Sequence, residues 1–295
     1  MSAPLAGAPV AGLQPRKRAG GRKRARRWGV DVLGLLVLAV MIFPVYWMIS
    51  TAFKPGSEIF ANTPVWFPTH ATLANFSDAI HRPHFWASVK NSVIVACSVV
   101  ALSLVLAFLA ALALAKFRFY GRKAFIVVII GVQMVPLNAL IIPIYLLLSK
   151  AHQVDKLSGV IVTYLTFVLP FTVWTLRGFV LGVPRELEEA AQVDGSTRFG
   201  AFVRILLPLI GPGLVATSIF AFIQAWNEYL MAYILLHSAD KQTLTLWLAG
   251  FITDRGTAWG PLMAGATLTA LPVVLFFVAI QRRIAFGLTA GAVRG

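Results

Sequence analysis

Acidic side chains are scarce in this chain: 11 Asp and Glu stand against 26 Lys and Arg, and charged residues of both signs make up only 13% of the 295. A soluble globular domain carries about a quarter charged residues, so this deficit excludes an ordinary water-facing fold. Cysteine is nearly missing as well. Cys97 is the single one, which excludes a disulfide within the chain and a cysteine metal site; inside the run SVIVACSVVALSLVL it reads as a small helix-packing residue. No G-x-x-x-x-G-K-[ST] phosphate loop, no H-E-x-x-H and no G-x-S-x-G occurs, so the phosphate cradle, zinc site and nucleophile elbow those patterns build are not expected. The five histidines, His70, His81, His84, His152 and His237, fall in expected external loops or at span ends. A membrane enzyme is therefore poorly supported, and no cofactor is expected to be bound by this chain.

What the chain has in excess is apolar length. Hydrophobic residues make up 58% and mean hydropathy is +0.79. They come in blocks of about 20 or more, the length a helix needs to cross a bilayer. Six spans are expected, near 31–52, 91–115, 124–148, 158–181, 206–233 and 261–281, giving an all-α integral membrane protein embedded in the lipid bilayer. The formal charge of +15 raises nucleic acid as a partner, but its distribution speaks for orientation instead. With the N-terminus in the cytoplasm, the tail, the 116–123 loop, Arg177, the 182–205 region and the C-terminus collect 19 of the 26 basic residues, and Lys54, Arg82, Lys90, Lys150, Lys156, Lys241 and Arg255 lie outside. The positive-inside rule then assigns both termini to the cytoplasm.

Residues 1–28, with eight basic residues between Arg16 and Arg27, are expected to be a disordered cytoplasmic tail, and residues 29–295 the membrane domain. No clear small-residue cleavage site follows, so a removable signal peptide is not expected. Pro44, Pro136, Pro143 and Pro170 punctuate the spans. Proline inside a membrane helix frees a carbonyl and invites a kink, which suits a pathway wall better than a passive anchor.

The segment VPRELEEAAQVDGSTRFGAFVRILLPLIGP, residues 183–212, is expected to be cytoplasmic. Pro184 suits a first helical turn, and Glu186, Glu188 and Glu189 follow where the positive helix end favours carboxylates. Ala190 and Ala191 permit close approach by another surface. Asp194-Gly195 signals a turn, because glycine takes the positive φ that ends a helix. A second helix should follow, with Phe199, Phe202, Val203 and Leu206 on one apolar face and Arg198 and Arg204 in water. Two short helices joined by a bend, over about 183–207, suit a partner's cleft.

Glu189-Ala190-Ala191, Asp194-Gly195, Ile205 and Leu207-Pro208 at this spacing resemble the EAA loop of permease subunits of ATP-binding-cassette importers. Asn91-Ser92, Met134-Val135-Pro136, Ile142-Pro143-Ile144-Tyr145, Leu169-Pro170-Phe171, Trp226-Asn227-Glu228 and the closing GLTAGAVRG narrow the resemblance to the maltose-type carbohydrate-uptake permeases of the bacterial inner membrane. The resemblance implies that Glu189, Ala190, Ala191, Asp194, Gly195 and Pro208 couple to two nucleotide-binding subunits, which use ATP and Mg, and that a tail of about 282–295, with Gly291 and Arg294, makes a second contact with them. Relatives carry lysine where Arg294 stands. It also implies a second permease subunit as heterodimer partner, and an extracytoplasmic solute-binding protein.

Polar residues within the spans are candidates for the solute pathway: Gln133, Asn138, Trp226, Asn227 and Glu228. Glu228 is the only acidic residue expected deep in a span after the first, and an intramembrane carboxylate usually faces the bundle interior or water. Asn227 and Glu228 would bond sugar hydroxyls while Trp226 or Tyr229 offers a ring face; equally, these residues would hold the permease dimer together. The segment Lys241 to Trp259 is too short to span and is expected to dip into the bundle mouth; the resemblance implies that it reaches toward the solute-binding protein. Two rivals stay open: an ion-coupled secondary transporter with Glu228 as its ion site, and an importer of a non-sugar solute such as a glycerol phosphate derivative.

Overall fold

The computed structural model describes residues 20–292, with the side chains of residues 30–280. The chain divides after Trp47 into two units. The first carries most of helix α1 (Gly20–Ala52), which begins inside the stretch expected as tail; the earlier tail residues lie outside those described. From Val30 its side chains are Val, Leu, Met and Ile over several turns, more than half exposed in many cases. That exposure is what lipid stabilises.

The second unit starts with short helices α2 (Gly56–Ile59) and α3 (Ala74–His81), then the long α4 (Phe85–Lys116). Next come α5 (Arg122–Val132), a 3₁₀ turn over Leu137–Leu140 and α6 (Ile141–Lys150), then α7 (Leu157–Leu181). The cytoplasmic candidate loop is α8 (Arg185–Val193), α9 (Arg198–Ala201), a π-helical turn Phe202–Leu206 and α10 (Leu207–Leu209). It runs into α11 (Gly211–Asn227) and α12 (Leu230–Leu235), followed by α13 (Leu244–Ala249), a two-stranded hairpin Ile252–Thr253 with Gly256–Thr257, and α14 (Trp259–Ala292). Among the described residues, four helices are long and apolar enough to span, and six segments are if each of two bent pairs crosses once.

Helices occupy the stretches expected as spans, but two of those stretches are broken. Residues 124–148 are not one rod: α5 and the 137–150 helix meet at 99°. Pro136, extended at φ −65° and ψ 129°, starts the 3₁₀ turn; it lacks the N–H that would continue the ladder. The run 206–233 likewise divides, bending by 62° near Ile210 and breaking again at Glu228-Tyr229. The last span continues as helix to Ala292, through the stretch expected as a tail.

α4, α7 and α11 pack mutually and α14 joins α11. Their core has three clusters along α4: Val95 and Val99 with Tyr164, Phe222 and Trp226; then Ala107 and Ala111 with Val173 and Leu176; then Ala115 with Val180, Val183, Leu206 and Ile210. The α4 face toward them mixes Val95, Val99 and Leu114 with many small residues: Ser88, Ala96, Ser103, Ala107 and Ala111 are fully buried. Small residues let membrane helices approach closely, so dispersion replaces the missing hydrophobic drive. Gly213 extends the same device, since a Cβ there would fall 2.4 Å from the Phe179 ring. Cys97 is exposed; at a period of 3.6 it falls next to, not on, the packed stripe.

Candidate functional site

The coupling segment folds as a helix, a turn and a helix. Glu186 and Glu188 occupy the first turn of α8, where exposed N–H groups attract carboxylates. The helix ends through N–H groups of Asp194 on Ala190 O at 2.9 Å and of Ser196 on Ala191 O at 2.9 Å. Gly195 has φ 88° with open space around it, the left-handed residue such a helix end requires. Thr197 caps α9, its hydroxyl accepting from Gly200 N at 3.0 Å. Two ties hold the loop to the membrane helices. Lys116 Nζ, at the end of α4, donates to Glu188 Oε1 at 2.5 Å, and Arg185 Nη2 reaches Lys116 O at 3.5 Å.

Glu189, Ala190, Asp194, Gly195 and Pro208 are exposed and Ala191 is partly so. Leu187, Val193 and Phe199 are exposed beside them, Val193 by 87%, a pattern that a covering surface would relieve. The single apolar face expected for Phe199, Phe202, Val203 and Leu206 is split. The π turn shifts the register, so Leu206 is buried and Phe202 packs on the same cluster, while Phe199 and Val203 are exposed. Arg198 and Arg204 are exposed as expected. Gly291 is on the helical backbone of α14; its surroundings and Arg294 lie outside the described residues.

The five pathway candidates do not gather. Gln133 lines a cavity of about 450 Å³ between the break after α5, α7 and α11, with Thr166 and Gln224 as its other polar side chains and Phe167, Pro170, Phe171 and Phe220 as apolar wall. The Phe171 and Phe220 rings are 4.0 Å apart. Asn138 is exposed on the 3₁₀ turn and is not among the lining residues, and Asn227 is exposed at the end of α11. Trp226 is 3% exposed, stacked on Phe222, and its indole N–H donates to Thr269 O at 3.1 Å. Glu228 is not deep in a helix but in the break after α11. Its carboxylate accepts from Met231 N at 2.9 Å and Ala232 N at 3.2 Å, capping α12. Thr166 and Gln224 were missed. Gln224, a polar residue within a span three positions before Asn227, carried the same signal as Gln133.

At the other end of α4, the segment expected to dip into the bundle mouth packs against α4 and α14. Leu244, Leu246, Trp247 and Phe251 are each at most 7% exposed, while Ile252 on the following hairpin is 62% exposed. Asp155 anchors this region from 80 or more residues away in sequence: it accepts from His237 N at 3.0 Å, Ser238 N at 2.9 Å, the Ser238 hydroxyl and Lys241 Nζ at 2.8 Å. Burial pushes the Asp155 carboxyl up, but these four donors outweigh it and hold it well below the usual carboxylate range.

A bent, polar-lined bundle with an exposed helix-turn-helix on one side matches a known family over residues 103–289, described as the inner membrane component of binding-protein-dependent transport systems. The chain belongs to that family. It is 46% identical to the diacetylchitobiose uptake system permease protein DasC of Streptomyces coelicolor, over 90% of this chain and 96% of that protein. It is 33% identical to the arabinooligosaccharides transport system permease protein AraQ of Halalkalibacterium halodurans, over 91% and 96%. The fold matches a subunit of a bacterial ABC transporter that imports the acidic polysaccharide alginate, with TM-score 0.76 at 21% identity, covering 91% of this chain and 99% of that one. This permease is therefore a transport subunit of the inner membrane, not an enzyme. The family match encloses α8, the Gly195 turn and the cavity-lining residues alike.

Proposed function

We propose that this permease is one half of the pathway of an ATP-driven importer for a neutral saccharide. It crosses the membrane six times, each bent pair counting once, with both termini in the cytoplasm. Residues 183–207 dock on nucleotide-binding subunits that bind and hydrolyse ATP with Mg, and a second, similar permease supplies the other half. A solute-binding protein delivers the sugar to the external face near the 252–258 hairpin. The observation that carries the docking role is the exposure of Glu189, Ala190, Gly195, Val193 and Phe199 on a loop whose other side is tied to α4. Closure of the ATPase pair moves that loop, and the bundle changes which side its cavity opens to.

The solute class follows from the cavity. Two amides, a hydroxyl and phenyl rings line it, with no charged side chain among the lining residues. Amides donate to and accept from sugar hydroxyls, and rings cover the apolar C–H faces. An anionic solute such as a glycerol phosphate derivative would find no cation there. The sugars named for the two curated relatives, diacetylchitobiose and arabinooligosaccharides, are consistent with that chemistry. The test is ATP-dependent uptake of labelled diacetylchitobiose in cells carrying the native chain, Glu189→Arg, or Gln133→Ala with Gln224→Ala. Glu189→Arg should abolish uptake and release the ATPase subunit from the purified chain. The amide pair should raise the half-saturating concentration severalfold with the ATPase still bound. Uptake that persists without a co-purifying ATPase would sink the importer reading.

A further inference from the structure

Among the described helices long enough to cross a bilayer, α4 alone contains neither proline nor glycine. Its 32 residues form a rod about 48 Å long at 1.5 Å per residue. The neighbouring segments all offer a place to yield: Pro170 in α7, Pro272 in α14, the 99° break after α5 and the interruption after Asn227. Displacement applied to a kinked helix is absorbed at the kink. Displacement applied to α4 is not.

This rod is tied at both ends. Externally, Asn91 Nδ2 donates to Asp240 O at 2.9 Å and Gln242 O at 3.0 Å, and Ser92 Oγ accepts from Leu244 N at 2.7 Å. Just before α4, Arg82 Nη2 donates to Gly250 O and Pro83 O accepts from Trp247 Nε1 at 3.0 Å. Both ends of α13 thus hang from the start of α4. On the cytoplasmic side the tie is the Lys116–Glu188 pair, with side chains 15% and 21% exposed. Partial burial keeps such a pair from being fully screened by water. Along the shaft, small residues such as Ala96, Ser103, Ala107 and Ala111 alternate with Val95, Val99 and Leu114 where α4 packs on α7.

We propose that α4 is a push rod: movement of α8 passes through Lys116 and Glu188 along the unbent helix to Asn91 and Ser92, which shift the external segment 239–251. Lys116 and Glu188 are positioning residues, and the external segment is the element they move. The proposal rests on the reading of residues 183–207 as an ATPase-docking loop. Two tie points about 37 Å apart then respond as one body, and the external face is informed of nucleotide state without a chain of side-chain rearrangements.

The experiment uses the complete importer purified through this chain and placed in nanodiscs. A Cys97→Ser background carries an environment-sensitive fluorophore at Arg255→Cys in the external hairpin, and the probe is ATP with Mg and vanadate. Trapping should change the fluorescence of the native importer. Lys116→Glu should cut that amplitude severalfold, while the ATPase stays bound and hydrolyses ATP. Exchanging the charges with Lys116→Glu and Glu188→Lys should restore it. Val105→Gly with Leu109→Gly, on the exposed face of α4, should also cut the amplitude, because it softens the shaft and touches neither tie. Lys116→Met supplies the same comparison where Lys116→Glu does not assemble. Full amplitude in the Lys116 variants, or an intact complex that the charge exchange does not restore, overturns the push rod. If the native chain brings down no ATPase, the docking-loop reading fails at that earlier step and the proposal with it.

Discussion

Asp155 occupies a left-handed backbone position, φ 58°, which costs a non-glycine residue free energy that its contacts must offset. Those contacts are four hydrogen bonds to the carboxylate and one from its own N–H to Leu235 O at 2.7 Å. Because they bond the charged form, its folded pKa lies below the unfolded value. The sign follows: the contribution is complete above the unfolded Asp value of about 4 and is lost as pH falls below it. Detergent-purified native chain should therefore lose more of its thermal midpoint between pH 6 and pH 3.5 than Asp155→Asn does, a comparison that scanning fluorimetry makes directly. Equal losses would remove Asp155 as the anchor. Sequence reading passed over this residue because nothing local marks it; its partners stand 80 or more positions away. Gly195 was legible for the opposite reason, since a helix end that needs positive φ leaves its mark in two adjacent residues.

At the scale of elements, apolar length made the spans visible but not their breaks. Pro136 was legible as a kink; the 99° turn it starts was not, because the angle is set by what α5 and α6 pack on. Glu228 shows the difference best. Read along the sequence it is a carboxylate inside a span, hence an ion site or a sugar contact. In the fold it terminates one helix and starts the next, accepting two N–H groups of α12 that would otherwise lack partners. The secondary-transporter reading needs its charge to come and go, whereas a cap needs only its oxygens. Glu228→Gln keeps one acceptor and should retain most uptake with an unchanged pH profile. Glu228→Ala removes the cap and should cost about 1 kcal/mol, seen as a lower thermal midpoint with assembly intact. A flattened pH profile of uptake in Glu228→Gln would favour the ion-coupled rival.

For the whole molecule the open quantity is orientation, and it follows from where charge and exposure fall together. The 116–123 loop and the 183–207 loop are joined by the Lys116–Glu188 pair, so they share one side of the membrane. Asn91 and Arg82 join the start of α4 to residues 239–250, so these share the other. α4 is one unbroken helix between them, which separates the two sets by a full bilayer. The assignment to cytoplasm and exterior then rests on the basic excess, 19 residues against seven. In a Cys97→Ser background, Ser196→Cys should resist a membrane-impermeant maleimide in intact spheroplasts and react after lysis. Thr253→Cys, at the hairpin, should react before lysis. Opposite labelling of the two sites with the reversed order would keep the fold and invert the protein, placing the coupling loop where no ATP is found. Equal labelling of both would break the six-span count, because an odd number of crossings must separate α8 from the hairpin, and among the described residues the one candidate span between them is α11 with its bent approach.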